Sequence, residues 1–284
     1  MRRLLTVVLL VALLLPAVLS CRAPDRSAPL TVTFLDVGEG DCTWLRTSAG
    51  DILIDAGPEN AQESLCRRLR SAGLRRVSLL ILTHLDEDHI GGADAILGAF
   101  PTDEVWLNGA EDPGESAGRL FSALNASPST AVRNVRAGDW IGSGDALLTV
   151  LCPFPEELPD GGNAGSIVLR VQCGDFSLLM TGDAEETAER RLTERYEAEL
   201  LRSTVLHVGH HGSDSSSTET FLSAVLPELA VISCGAANRY GHPDGRVLAR
   251  LAETGCRILR TDLEGDIVLI CDGTGYVRAG EGKK

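Results

Sequence analysis

The stretch "VSLLILTHLDEDHIGG", residues 77 to 92, constrains the fold of this chain more than any other. Its first half is apolar throughout, the pattern of a β-strand covered on both faces, so the chain must supply layers on either side of a sheet. Its second half sets His84, Asp86, Asp88 and His89 within six positions, directly before Gly91 and Gly92. The C-terminal edge of such a strand is where α/β architectures place ligand sites. The four groups leave that edge in a turn read as too tight for a helix, fanning around one or two points that the glycines let the backbone approach. An acid capping the next helix accounts for Asp88 but not for two histidines. Two imidazoles and two carboxylates converging without a cation would be costly to desolvate, so the pattern predicts a metal site.

The rest of the chain repeats the same rhythm. "LTVTFLDV", "CTWLRTS" and "DILIDAG" read as strands, the last two joined by a hairpin, and residues 59 to 72 as a helix ending at Gly73. A helix follows the double glycine, then the strand "EVWLNG"; residues 110 to 165 are the least readable part. Beyond them come "SIVLRVQ", "FSLLMTGD", a helix over 184 to 198, "TVLHVGHHGS", a helix over 217 to 226, "LAVISCG", a helix over 245 to 254, "CRILRTD" and "DIVLICDG". Two halves of strands followed by helices predict two sheets face to face with helices outside, a four-layer αββα sandwich over residues 30 to 284.

The six histidines fall in three short clusters: His84 and His89; His207, His210 and His211; and His242. Each cluster closes or follows an apolar strand, and Asp183 in "LLMTGD" closes another. His207 lies inside its strand and reads as structural. Asp55 in "LIDAG" reads as a group orienting a ligand from behind. Asp36 and Asp41 in "FLDVGEGD" flank a tight turn, where turn chemistry is the plain explanation for Asp36.

"THLDEDHIGG" resembles the H-x-[HD]-x-D-H signature of the metallo-β-lactamase fold superfamily. Together with "FLDVGEGDC", "ILIDAG", "NAGSIVLR", "LLMTGD", "VGHHGS" and "NRYGHP" it is similar to the hydrolase domain of the ComEC family of DNA-uptake competence proteins. The resemblance implies an αββα sandwich with a binuclear centre of two divalent metal ions. His84 and Asp86 would hold one metal and Asp88 and His89 the other, with Asp183 bridging. His210 or His211 would complete the centre, and His242 would hold the second metal or contact substrate. Asp88, Asp183 and His211 are the catalytic candidates. Where many relatives carry a further metal-binding histidine, this chain offers Asn163 and Ser166, which with Asn238 and Arg239 are the candidate substrate contacts. Asp86 in place of a commoner histidine hardens the site, making manganese as plausible as zinc.

The N-terminus has the layout of an export signal over residues 1 to 20, with Arg2 and Arg3 before an apolar run and "VLSC" before the tether 21 to 29. "VLSC" resembles a bacterial lipobox that would lipidate Cys21, although Leu19 is not the usual small residue there. The expected location is the outer face of the bacterial cell membrane, without an obligate protein partner. Removing residues 1 to 20 deletes two arginines and no acid, leaving 24 basic against 40 acidic side chains, a net charge of −16. No basic run is present, which argues against tight non-specific DNA binding. Seven cysteines remain after Cys21 with no C-x-x-C pair, so a thiolate zinc site is not expected.

Three functions follow. A metal-activated water could cut a phosphodiester, DNA included. The same centre could hydrolyse a small envelope ester such as phosphorylcholine. A non-catalytic metal-binding lipoprotein is the third, against which the intact ligand set speaks.

Overall fold

The computed structural model describes residues 28–111, 114–157, 160–236 and 238–281. Residues 1–27, which hold the expected signal, Cys21 and most of the tether, lie outside the described residues.

The strands and helices run β1 Leu30–Phe34, β2 Thr43–Thr47, β3 Asp51–Ile54, α1 Gln62–Ser71, β4 Val77–Ile81, α2 Glu87–Ile90, α3 Ala93–Ala99, β5 Thr102–Leu107, α4 Glu115–Asn125 and β6 Ala131–Asn134. They continue as β7 Trp140–Ser143, β8 Ala146–Cys152, β9 Val168–Cys173, β10 Phe176–Met180, α5 Glu186–Arg195, α6 Ala198–Leu201, β11 Val205–His207 and α7 Glu219–Val225. The last are β12 Leu229–Ile232, α8 Gly245–Glu253, β13 Arg257–Arg260, α9 Thr261–Glu264, β14 Ile267–Cys271 and β15 Tyr276–Arg278.

Two sheets result, ordered β15-β14-β1-β2-β3-β4-β5-β6 and β13-β12-β11-β10-β9-β8-β7. Each is antiparallel in one part and parallel in another: β3 to β6 are parallel in the first sheet and β10 to β13 in the second. Alternation explains the layers. In β4, Leu79 and Ile81 enter the core between the sheets, where they meet residues such as Leu148, Leu169 and Leu178 from the second sheet. Leu80 and Leu82 turn the other way, onto α1, α3 and α4. On the far side, Leu179, Leu206 and Ala230 meet α5, α7 and α8. A leucine buried this way contributes roughly 1.5–3 kcal/mol, so a strand buried on both faces is strongly committed to its place. The four-layer sandwich is thus as expected.

The poorly readable middle contains α4, β6, β7 and β8. Its four β6 residues are all exposed, so no apolar alternation marks that strand. The turn after β4 is a correction: Glu87–Ile90 forms one helical turn, closed by Ile90 N–H to Asp86 O at 3.0 Å and Gly91 N–H to Glu87 O at 2.7 Å. The seven cysteines of the described residues are all unpaired. Among the described residues, no helix is long and apolar enough to cross a membrane.

Candidate metal centre

Parallel strands bring their C-terminal ends to one rim. Asp55 follows β3, His84 follows β4, Asp183 follows β10, and His210 and His211 follow β11. His210 and His211 are both left-handed, with φ of 50° and 53°, a conformation costing about 1–2 kcal/mol per non-glycine residue. Neighbouring hydrogen bonds hold them there: His210 N–H donates to Gly182 O at 3.1 Å, and Ser213 N–H to His210 O at 2.8 Å.

The hydrogen-bond network fixes which imidazole nitrogens carry protons. The Asp55 carboxylate accepts from Thr83 N–H at 2.8 Å and from the Thr83 hydroxyl at 2.9 Å, and His89 Nδ1 lies 2.8 Å from Asp55 Oδ2. A carboxylate only accepts, so His89 Nδ1 is the protonated nitrogen. The Thr83 hydroxyl, having given its proton to Asp55, accepts from His84 Nδ1 at 3.1 Å. His211 Nδ1 likewise donates to Ser233 O at 3.1 Å. All three rings therefore turn Nε2, the atom free to bind a cation once it is unprotonated, into the same space.

Carboxylates face those nitrogens. His89 Nε2 is 3.1 Å from Asp183 Oδ1, and neither atom makes a hydrogen bond. His211 Nε2 is 3.1 Å from Asp88 Oδ2 and 3.7 Å from Asp183 Oδ2. His84 Nε2, also without a hydrogen bond, is 3.5 Å from Asp86 Oδ2. Ligand atoms of Asp88, His89, Asp183 and His211 lie within 4.8 Å of one another. Carboxylate oxygens and Nε2 atoms line the space, a donor set that a divalent cation would satisfy. The electrostatics show the same demand for positive charge, met by a second ring proton on His89 and His211 when no cation is present. Burial opposes charge on His89, yet Asp183 and Asp55 push its pKa well above the ordinary histidine value. His211 is raised against burial in the same way by Asp183 and Asp41. Burial favours neutral Asp183, but His89 and His211 hold its carboxyl well below the usual range.

The other expected residues separate into groups. His210 puts Nε2 3.7 Å from Asp183 Oδ2, while its Nδ1 contacts Ser215 Oγ at 3.2 Å and Glu185 Oε1 at 3.3 Å. His211, expected as a catalytic group, is the one placed in the ligand cluster. His242 stands behind His210, ring centroids 5.6 Å apart, and stacks on Tyr240. Asn163 lies against His210, with Nδ2 3.4 Å from its Nδ1. Ser166 is a correction: it is buried, and its hydroxyl accepts from Asp183 N–H at 3.1 Å, so it supports Asp183 rather than facing substrate. Asn238 is another, because its amide ties its own loop together through Gly235 O, His242 O and His242 N–H. Arg239 remains available, its side chain 75% exposed and braced by Glu39. His207 is held within the protein by Ser233 Oγ at 2.9 Å and stacking on Phe34.

Beside the cluster opens a cleft of about 770 Å³. Among the described residues, Glu39, Glu59, Asp86, Glu87, Asp88 and Glu115 line it, with Arg119 and Arg239 as its cations. Arg119 is engaged by Glu59 at 3.0 Å.

Residues 35–236 match the family described as the metallo-beta-lactamase superfamily. The chain is 36% identical over 243 residues to the Competence protein ComA of Neisseria gonorrhoeae, covering 85% of this chain and 32% of that protein. It is 31% identical over 276 residues to the ComE operon protein 3 of Bacillus subtilis, covering 86% and 33%. The chain thus spans about a third of the length of these curated relatives. CmlA, a diiron beta-hydroxylase from Streptomyces venezuelae, superimposes with a TM-score of 0.58 at 15% identity, over 86% of this chain and 54% of that one. That likeness is one of fold.

Proposed function

The chain belongs to the metallo-beta-lactamase superfamily, and from that membership we propose that it is a metal-dependent hydrolase that cuts phosphodiesters, with DNA or a related polymer as substrate. The observation that carries the reading is the convergence of the His84, His89 and His211 Nε2 atoms on the carboxylates of Asp88 and Asp183. Those residues, with Asp86, fit a pair of divalent cations, and His210 stands near enough to Asp183 to join them. The mixture of imidazoles and carboxylates suits zinc or manganese.

When bound, such a pair supplies a hydroxide-like water near neutral pH and offsets the charge that builds on the phosphoryl oxygens. The chain's own residues do the rest. Asp88, about one third exposed at the cleft side, is placed to take a proton from the attacking water. Asp183, held by Ser166 from below, keeps its carboxylate fixed between His89 and His211. Arg239 at the cleft lip is the group offered to a non-bridging phosphate oxygen.

A second reading has its own support. Six acids line the cleft against two arginines, which suits a small or zwitterionic phosphoester of the cell envelope better than a long polyanion. The export signal and the lipid anchor on Cys21 belong to the same proposal, supported by the order of charge, apolar run and cysteine in residues 1–21. The test is cleavage of single- and double-stranded DNA by the full chain in mild detergent, with manganese, zinc or EDTA, beside His89→Ala. Metal-dependent cutting lost in the variant supports the nuclease. No cutting by protein that binds metal sinks it in favour of small phosphoesters.

A further inference from the structure

Asp41 leaves the loop after β1 and is buried to 3% exposure behind His211. Its backbone is fastened on both sides: its N–H donates to Asp88 O at 3.1 Å, and its C=O accepts from Gly57 N–H at 2.8 Å. Gly40 before it has φ of 141°, and a Cβ there would lie 2.2 Å from Asp88 O, so only glycine lets the loop pass this close. The Asp41 carboxylate is thereby turned inward. Its Oδ1 lies 3.5 Å from His211 Nδ1 and 3.6 Å from His207 Nε2, and has no hydrogen bond of ordinary geometry.

A turn aspartate caps backbone N–H groups near itself. Asp41 does not, because its lone pairs face two imidazoles. A buried carboxylate left so lightly satisfied costs stability unless a neighbouring charge compensates it. His207 is engaged with Ser233 Oγ at 2.9 Å, and the Nδ1–H edge of His211, which Ser233 O shares at 3.1 Å, is the nearer ring group to Asp41 at 3.5 Å. The relation repeats one already present: Asp55 stands behind His89 as Asp41 stands behind His211. His84 has only the neutral Thr83 hydroxyl behind it.

We propose that Asp41 is a positioning residue for His211. It keeps the Nδ1–H edge turned inward and the Nε2 lone pair turned toward Asp88 and Asp183, and makes that lone pair a stronger donor to a divalent cation. The proposal rests on the metal-centre reading and deepens it. The two cation positions then differ: the one served by His89 and His211 is backed by two buried carboxylates, the one served by His84 and Asp86 by none, so the first holds its ion more tightly.

The test uses the full chain in detergent and manganese alone as probe. Manganese is titrated into wild type, Asp41→Asn and Asp41→Ala, and the tautomer of His211 in the metal-free wild type is read from long-range ¹H–¹⁵N correlations of its ring. The expected result is two binding steps in wild type, with the tighter one weakened about 10–100-fold in Asp41→Asn and the weaker one unchanged. The metal-free His211 ring should be protonated at Nδ1. Unchanged manganese affinities in Asp41→Asn, or a wild-type His211 protonated at Nε2 alone, overturn the proposal. If both variants fail to fold, the wild-type tautomer decides by itself. A wild type that binds no manganese overturns the metal-centre reading, and this inference with it.

Discussion

His89 Nδ1 and Asp55 Oδ2 are 2.8 Å apart, with side chains 0% and 2% exposed. Asp55→Ala would leave the Thr83 N–H, the Thr83 hydroxyl and His89 Nδ1–H without their acceptor. Stranding buried donors costs roughly 1–3 kcal/mol each, so a loss of about 3 kcal/mol is expected in urea unfolding of the metal-free protein. Metal affinity should fall about 10–100-fold, read by chelator competition. A variant that unfolds early but binds metal normally would show that Asp55 serves only the fold.

His89→Ala removes a ligand rather than its support. It is expected to lower the metal content by about one ion per chain and the phosphodiesterase rate by roughly 1000-fold, since metal polarisation supplies several kcal/mol. Metal analysis of the purified variant, beside its rate on a small chromogenic diester, separates ligand loss from misfolding.

Glu189, on α5, gives a pH signature outside the site. It is 1% exposed and accepts from Ser217 N–H at 2.5 Å and Thr218 N–H at 2.8 Å. Burial nevertheless pushes its carboxyl from 4.5 up to about 6. A folded value above the unfolded one means that the folded state favours the proton. The contribution is therefore fully present below about pH 4.5 and lost as pH rises through 6, on the order of 2 kcal/mol. In Glu189→Gln that titration disappears, so the stability of wild type relative to the variant should fall by about this amount between pH 4 and 7. Parallel unfolding curves at both pH values check it.

Gly40→Ala forces a methyl group against Asp88 O. The β1 loop must retreat and take Asp41 N–H off Asp88 O, so both the fold and the metal centre suffer. A loss of about 3 kcal/mol or more, together with weakened metal binding, is expected from thermal unfolding and titration.

The cleft's acids give an unusual sign to the salt response. Proteins that hold DNA by counterion release bind it less well as salt rises. Here screening would weaken repulsion between the polyanion and Glu39, Glu59, Glu87 and Glu115. The KM for DNA should therefore fall between low and physiological salt, while that for a small diester changes little. Glu115→Gln, altering a side chain 91% exposed, should lower the KM for DNA in low salt. A KM that climbs with salt would count against the acidic cleft as the polymer's route.

Much of the architecture could be read from the chain because burial leaves a mark. Leu79 to Leu82 must alternate between two cores, and only a layered fold accommodates that. The six positions from His84 to His89 stood out in the sequence because carboxylates and imidazoles so close together have few uses besides metal binding. Asp41 was not, since "GEGD" is ordinary turn chemistry until the contact of Gly40 with Asp88 O turns its carboxylate inward. Nor could sequence order say which of His210 and His211 enters the cluster, because two successive left-handed residues decide it. Ser166 and Asn238 carry the polar groups of substrate contacts but spend them on Asp183 and on a loop. The exposed strand β6 was obscured for a simpler reason, since all four of its residues face solvent; α4 does carry a stripe at Ala117, Leu120, Phe121 and Leu124, but the acidic and glycine-rich turns around it mask the pattern.

The inward-turned Nδ1–H groups of His84, His89 and His211 leave Nε2 as the ring atom each presents at the rim. On His89 and His211 the carboxylates beside them draw a proton to that atom when no cation is present. A cation entering the cluster must therefore displace those protons, so occupancy of the site should rise with pH. The rim passes from proton-bearing to metal-bearing with no moving part.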